Sequence, residues 1–205
     1  LLGHLIAVFI FGPLLEQTWG SKRFMTFYLI TGIGAAAIYG GVDFIEKRQI
    51  KLDTEAYVAN PNPESFSLFI MEHKSPYFKL NVLAKEADEF YEHPEDRQYI
   101  SRSRSIVSSM FEQTVNVTMA GASGAVFGSL MAFAMLFPNM QLMLLIPPIP
   151  IRAKYLVFLY AMFEIYFEIT RSPSDNVAHL AHIGGMVIAF ILLKFFWNNS
   201  NQRYY

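Results

Sequence analysis

Apolar positions in this chain cluster into long runs and are not spread evenly along it. Residues 1–15 are apolar except for His4. That run is shorter than the roughly 20 residues a helix needs to cross a bilayer. It opens without an initiator Met or a basic leader, so it is read as a fragment lacking upstream sequence. Gly12-Pro13 predicts a bend, Glu16-Gln17 an exit, and Trp19 an interface anchor followed at once by Lys22-Arg23. Residues 24–42 form a second run. Its Gly32, Gly34, Ala35, Ala36, Ala37, Gly40 and Gly41 give the small-residue face by which helices pack closely in lipid. A third run covers 121–137 and is closed by Pro138-Asn139. Residues 140–151 are apolar but hold Pro147, Pro148 and Pro150, which predicts a re-entrant or interfacial turn. The fourth run extends to about residue 170, and the fifth covers 177–197.

Residues 43–118 are of another kind. They hold nine basic and thirteen acidic residues, most of the charge in the chain. Asn60-Pro61-Asn62-Pro63-Glu64 predicts a turn and then a helix start, because proline suits the first helical turn. Phe66, Phe69, Ile70, then Leu80, Leu83, Ala87, Phe90 and Tyr91, recur near helical spacing, and His93-Pro94-Glu95-Asp96 interrupts them. The expectation is two or three amphipathic helices outside the membrane, forming a solvated cap. The domain plan is therefore 1–42 and 119–198 as a transmembrane core, 43–118 as an extracytoplasmic helical insertion, and 199–205 as a cytoplasmic tail.

Composition agrees with a membrane protein carrying one polar insertion. Apolar residues make up 53% and charged residues 16% of the 205 positions, against roughly 25% charged in soluble domains. A net charge of −1 gives no reason to expect nucleic-acid binding. The absence of cysteine excludes disulfides, thiolate metal sites and a cysteine nucleophile.

Charge also sets the orientation. Five alternating spans put Lys22, Arg23, Arg152, Lys154, Lys194 and Arg203 on one side. Arg171 and the insertion, with net charge −4, fall on the other. Short positive loops stay cytoplasmic, so the insertion is expected outside. The third and fifth spans then both start at the outer face, which puts Ser123 and His182 at similar depth. A serine becomes a nucleophile when a base takes its proton, and histidine is the usual base. Gly124-xxx-Gly128 and Gly185-xxx-Ala189 would let the two helices cross closely. Free backbone N–H groups near Ser123, Gly121 among their carriers, could hold an oxyanion.

Plainer readings stand beside this one. Serine in the run Ala120-Gly121-Ala122-Ser123-Gly124 can be packing filler, and an intramembrane histidine can carry protons or bind a metal. His179 and His182, three residues apart, could ligate together. No carboxylate or third histidine is expected at their depth, so no metal and no cofactor are assigned. Glu164 and Glu168 are read as structural, bonding neighbours or Arg171 near the outer end. A channel or transporter would show inverted repeats and midplane charges, and the sequence shows neither.

Gly121-Ala122-Ser123-Gly124 and Ala181-His182-Ile183-Gly184-Gly185, two spans apart, resemble the rhomboid intramembrane serine proteases. So do Gly12-Pro13-Leu14-Leu15-Glu16, Trp19-Gly20-Ser21-Lys22-Arg23-Phe24 with Tyr28, Ala125-Val126-Phe127-Gly128 and Leu136-Phe137-Pro138-Asn139. The resemblance covers the chain outside most of the insertion. It implies an all-α, polytopic membrane bundle with five of the family's six core helices. It implies a dyad without a third acid, Ser123 as nucleophile and His182 as base, cleaving single-span transmembrane proteins. It also implies that Phe127 stacks on the histidine, and that Glu16 is structural. The family's oxyanion pair is His-xxx-Asn. His4 falls on the Asn position in one register; a one-turn slip makes it the His and leaves Val8 on the Asn position. The expected location is a bacterial inner membrane, with the site opening to the extracytoplasmic side. The alternative function is that of an inactive relative that binds transmembrane clients.

Overall fold

The computed structural model describes residues 2–73, 79–116, 122–143, 149–170 and 177–196, with side chains from Ile6 onward. Among them are eight α-helices: α1 Leu2–Trp19, α2 Ser21–Ala59, α3 Pro63–Glu72, α4 Leu80–Glu92, α5 Arg97–Val115, α6 Ser123–Leu136, α7 Ala153–Thr170 and α8 His179–Ile191. Two short strands, β1 Gln141–Met143 and β2 Pro150–Arg152, lie between α6 and α7. A π-helical turn, Leu192–Phe196, continues α8. The chain forms two compact units. One is Leu1–Gly40, Met119–Arg171 and Val177–Tyr205; the other is Gly41–Thr118 and Ser172–Asn176.

In the first unit α1 passes through Pro13 as one helix. It stops at Gly20, whose φ of 79° suits a residue without Cβ. The Gly20 amide donates to the Glu16 carbonyl at 2.7 Å and so caps the helix end. Helix α2 does not end near residue 42, where the apolar run stops. No proline and no further glycine follows Gly41 until Asn60-Pro61, so nothing breaks the helix. Polar pairs one turn apart suit its continuation, with Lys47 on Asp43 at 2.9 Å and the Gln49 amide on Asp53 at 3.0 Å.

The core of this unit gathers Leu15, Phe27, Leu130, Phe133, Val157 and Leu193 from five elements. Helix α6 packs most extensively on α8, and α1 and α7 flank the pair. Helix α7 reverses the pattern of a water-soluble helix. Its buried residues are Ala153, Val157 and Glu164, while Phe158, Phe163, Tyr166 and Ile169 are each more than half exposed. A helix that turns aromatics outward and a carboxylate inward fits a lipid surround. By length and composition, α2 and the segment His179–Phe196 can each cross a bilayer, and Ile6–Trp19 and Ser123–Leu136 are shorter apolar helices. The proline-rich stretch expected as a re-entrant or interfacial turn is in part an antiparallel strand pair, Leu142 opposite Ile151. Pro150 opens β2, a place where a missing amide is tolerated. Residues 144–148 of that stretch lie outside the described residues.

The second unit is a small helical core of its own. Pro63 starts α3, and the Asn62 side chain accepts the Ser65 amide at 2.8 Å. Asp96 caps α5 through the Gln98 amide, also at 2.8 Å. The tetrapeptide that interrupts the pattern thus separates α4 from α5. Phe66, Phe69, Leu83, Phe90, Val107 and Met110 fill the interior. Tyr57 lies among them, and its hydroxyl bonds the Ser103 hydroxyl at 2.5 Å. Burial holds the phenol above its ordinary 10.0, against the opposing pull of the Ser103 bond and the Arg104 cation. Because the folded value is raised, its contribution is intact below the unfolded value and fades as pH climbs through the folded one. Tyr57→Phe is expected to cost about 1 kcal/mol at neutral pH. It should also flatten the alkaline fall in stability, as measured by thermal unfolding in detergent from about pH 8 to about pH 11.

Candidate functional site

Ser123 is the first residue of α6 and is 6% exposed. Amide groups in a first helical turn have no acceptor within the helix, so they are available to an anion. The sequence then places glycines where other backbones arrive. A Cβ on Gly124 would overlap that of Ala35 and stand 3.0 Å from the Ala181 carbonyl oxygen. A Cβ on Gly185 would land on the Gly124 carbonyl, 2.7 Å from its carbon. One on Gly128 would meet Thr31 at 2.8 Å and the Gly185 carbonyl oxygen at 3.1 Å. Helices α6 and α8 therefore cross main chain to main chain, with α2 against both.

That crossing brings Ser123 near His182. Gly124 abuts Ala181, and each is next in sequence to one of the pair. Phe127, one turn after Ser123 on the same face of α6, lies flat on the His182 imidazole, with ring centroids 3.9 Å apart and planes at 11°. Among the described residues the Ser123 hydroxyl makes no hydrogen bond to His182. Such bonds are often loose before substrate arrives.

His182 is held from its other edge. Its Nδ1 is 2.8 Å from Glu164 Oε2, and His179 Nδ1 is 2.6 Å from the same oxygen. Glu164, His179 and His182 are all buried. Phe167, three residues beyond Glu164 on α7, stacks on His179 with centroids 5.4 Å apart. An imidazole that donates from Nδ1 keeps its lone pair on Nε2, the nitrogen that can take a proton.

This corrects the expectation that no carboxylate shares the depth of the histidines. Glu164 does, eleven residues into α7 and directed inward. A hydropathy run gives the depth of a residue along a helix and leaves its rotation open. The candidate ligand atoms of Glu164, His179 and His182 lie within 4.8 Å of one another. Their contacts at 2.6 and 2.8 Å are hydrogen-bond lengths, shorter than the ~3.3 Å between ligands of a tetrahedral zinc ion. As the groups stand, Glu164 Oε2 bridges the two imidazoles through hydrogen bonds. Glu168, one turn on, is half-buried. His4 falls within α1, but its side chain lies outside the described ones. Gly121 lies outside the described residues.

Residues 100–199 match the family model described as the Rhomboid domain. The chain belongs to the rhomboid family. No curated protein and no solved structure matches it. The rhomboid match takes in α6, α7 and α8, and with them Ser123, Glu164, His179 and His182. Rhomboid membership makes the chain an integral membrane protein of a family of intramembrane proteases, which act on membrane proteins within the bilayer. Its all-α membrane bundle accords with that membership.

Proposed function

We propose that the chain is an intramembrane serine endopeptidase in which Ser123 attacks the scissile carbonyl and His182 accepts its proton. The observation that carries this is the placement of His182. It stacks on Phe127, one turn from Ser123, across a helix crossing with no side chain between the backbones. Proton transfer from Ser123 Oγ to His182 Nε2 would form the acyl-enzyme, and the same proton would return to the leaving amine. Amide groups of the first turn of α6 would receive the oxyanion, with His4 as a further donor and Gly121 as a further amide.

The substrate class is single-span membrane proteins. Five segments serve as the spans, α1, the part of α2 up to residue 42, α6, α7 and α8, with residues 43–118 as an extracytoplasmic insertion and 199–205 as a cytoplasmic tail. The membrane is a bacterial inner membrane, and the site opens on the extracytoplasmic side. A substrate helix must unwind there, because a helical peptide bond is hydrogen-bonded and shielded.

The test is labelling with a fluorophosphonate, which reacts with an activated serine. The full chain in detergent is expected to label once, at Ser123. Ser123→Ala should abolish labelling and His182→Ala should slow it by about 10³-fold or more. Labelling that survives in Ser123→Ala, or runs at the parent rate in His182→Ala, overturns the assignment. A folded chain that neither labels nor cleaves would be a client-binding relative.

A further inference from the structure

We infer that Glu164 is a positioning residue for His182, so that the reacting unit is Ser123, His182 and Glu164. This rests on the Ser–His assignment above and adds a third member to it. The warrant is geometric. A buried carboxylate oxygen 2.8 Å from His182 Nδ1 fixes that nitrogen as the donor. The proton acceptor is then Nε2. Phe127 covers one face of the ring and fixes its plane. Rotation about the side-chain bonds and exchange of tautomer are both opposed, and each would remove the base from Ser123.

The same oxygen also takes His179 Nδ1, at 2.6 Å. His179 in turn stacks on Phe167, so the carboxylate is held from α8 and from its own helix. Two donors on one oxygen satisfy a carboxylate that would otherwise be buried without a partner. His179 therefore supports Glu164, and Glu164 supports His182. During acylation the Ser123 proton moves to His182 Nε2, and the imidazolium cation that forms faces a carboxylate anion. The carboxylate stabilises that cation and keeps its own charge. No bond to Glu164 forms or breaks.

Three variants of the full chain in detergent test this, with fluorophosphonate labelling rates and steady-state cleavage of a single-span model substrate as readouts. Glu164→Gln preserves shape, but its amide can donate as well as accept and so releases the tautomer. It is expected to lower kcat and the labelling rate by about 10²-fold or more, with KM within about twofold of the parent. Glu164→Asp keeps the charge on a shorter arm and should recover part of that loss. His179→Asn should lower kcat by less than Glu164→Gln does, since it removes a support and leaves the His182 contact. A Glu164→Gln chain that labels and turns over within threefold of the parent overturns the inference. So does a His179→Asn chain that loses as much as Glu164→Gln. Should the parent fail to label at Ser123, the Ser–His assignment itself falls and this inference with it.

Discussion

Ser123→Ala is expected to lower cleavage of a single-span substrate in vesicles by about 10⁴-fold or more, with helical content and thermal stability unchanged. The size follows from what is removed. The variant keeps the Cβ and loses only the hydroxyl, so the buried crossing of α6 and α8 is undisturbed. No described residue depends on that hydroxyl for a hydrogen bond. Residual activity would come from oxyanion stabilisation and positioning alone. A folded Ser123→Ala chain that cleaves at a tenth of the parent rate would mean that Ser123 is packing, as its glycine and alanine neighbours also allow.

Among the described glycines, Gly185→Ala should be the most disruptive substitution. Its Cβ would fall on the carbonyl of Gly124, and main chain cannot swing aside as a flexible side chain can. Overpacking costs about 1–3 kcal/mol where side chains yield; here the expected loss is about 3 kcal/mol or more. The helices would have to part. A displacement near 1 Å between reacting groups costs about 10²-fold in rate, so cleavage should fall at least that far in any variant that remains folded. Gly41→Ala is the control. A Cβ there meets nothing within 4 Å, so it should leave activity intact and raise helix stability by up to about 1 kcal/mol. The pair can be compared by thermal unfolding and turnover in one detergent. Equal behaviour would show that the crossing is more yielding than its geometry indicates.

Much of this architecture was legible in the residues. Lipid demands long apolar runs, and these stand out in the sequence. Glycine and alanine at 121–128 and 184–189 announced a close helix crossing, because small residues in a span serve little else. Two features were not legible, each for a physical reason. Helix α2 passes beyond its apolar run because helicity depends on the absence of breakers and on pairs such as Asp43 with Lys47, whereas hydropathy reports only solvent preference. In the sequence Glu164 and Glu168 look alike, a pair one turn apart that bonds its neighbours, and nothing there shows that the neighbours of Glu164 are His179 and His182. Which of two acids on a span turns inward is decided by packing against α8, which a single sequence does not display. The inverted burial of α7 is what separates them.

Gly124 and Gly185 also bear on how such a protein can diversify. Their helices meet through atoms that every amino acid shares, so the spacing at the crossing is not set by any side chain that mutation could enlarge or trim by degrees. The exposed aromatics of α7 can change without touching that spacing. Loss of either glycine cannot be absorbed in the same gradual way. Change can therefore accumulate on the outward face of α7 by small steps, whereas at this junction the first added carbon already meets main chain.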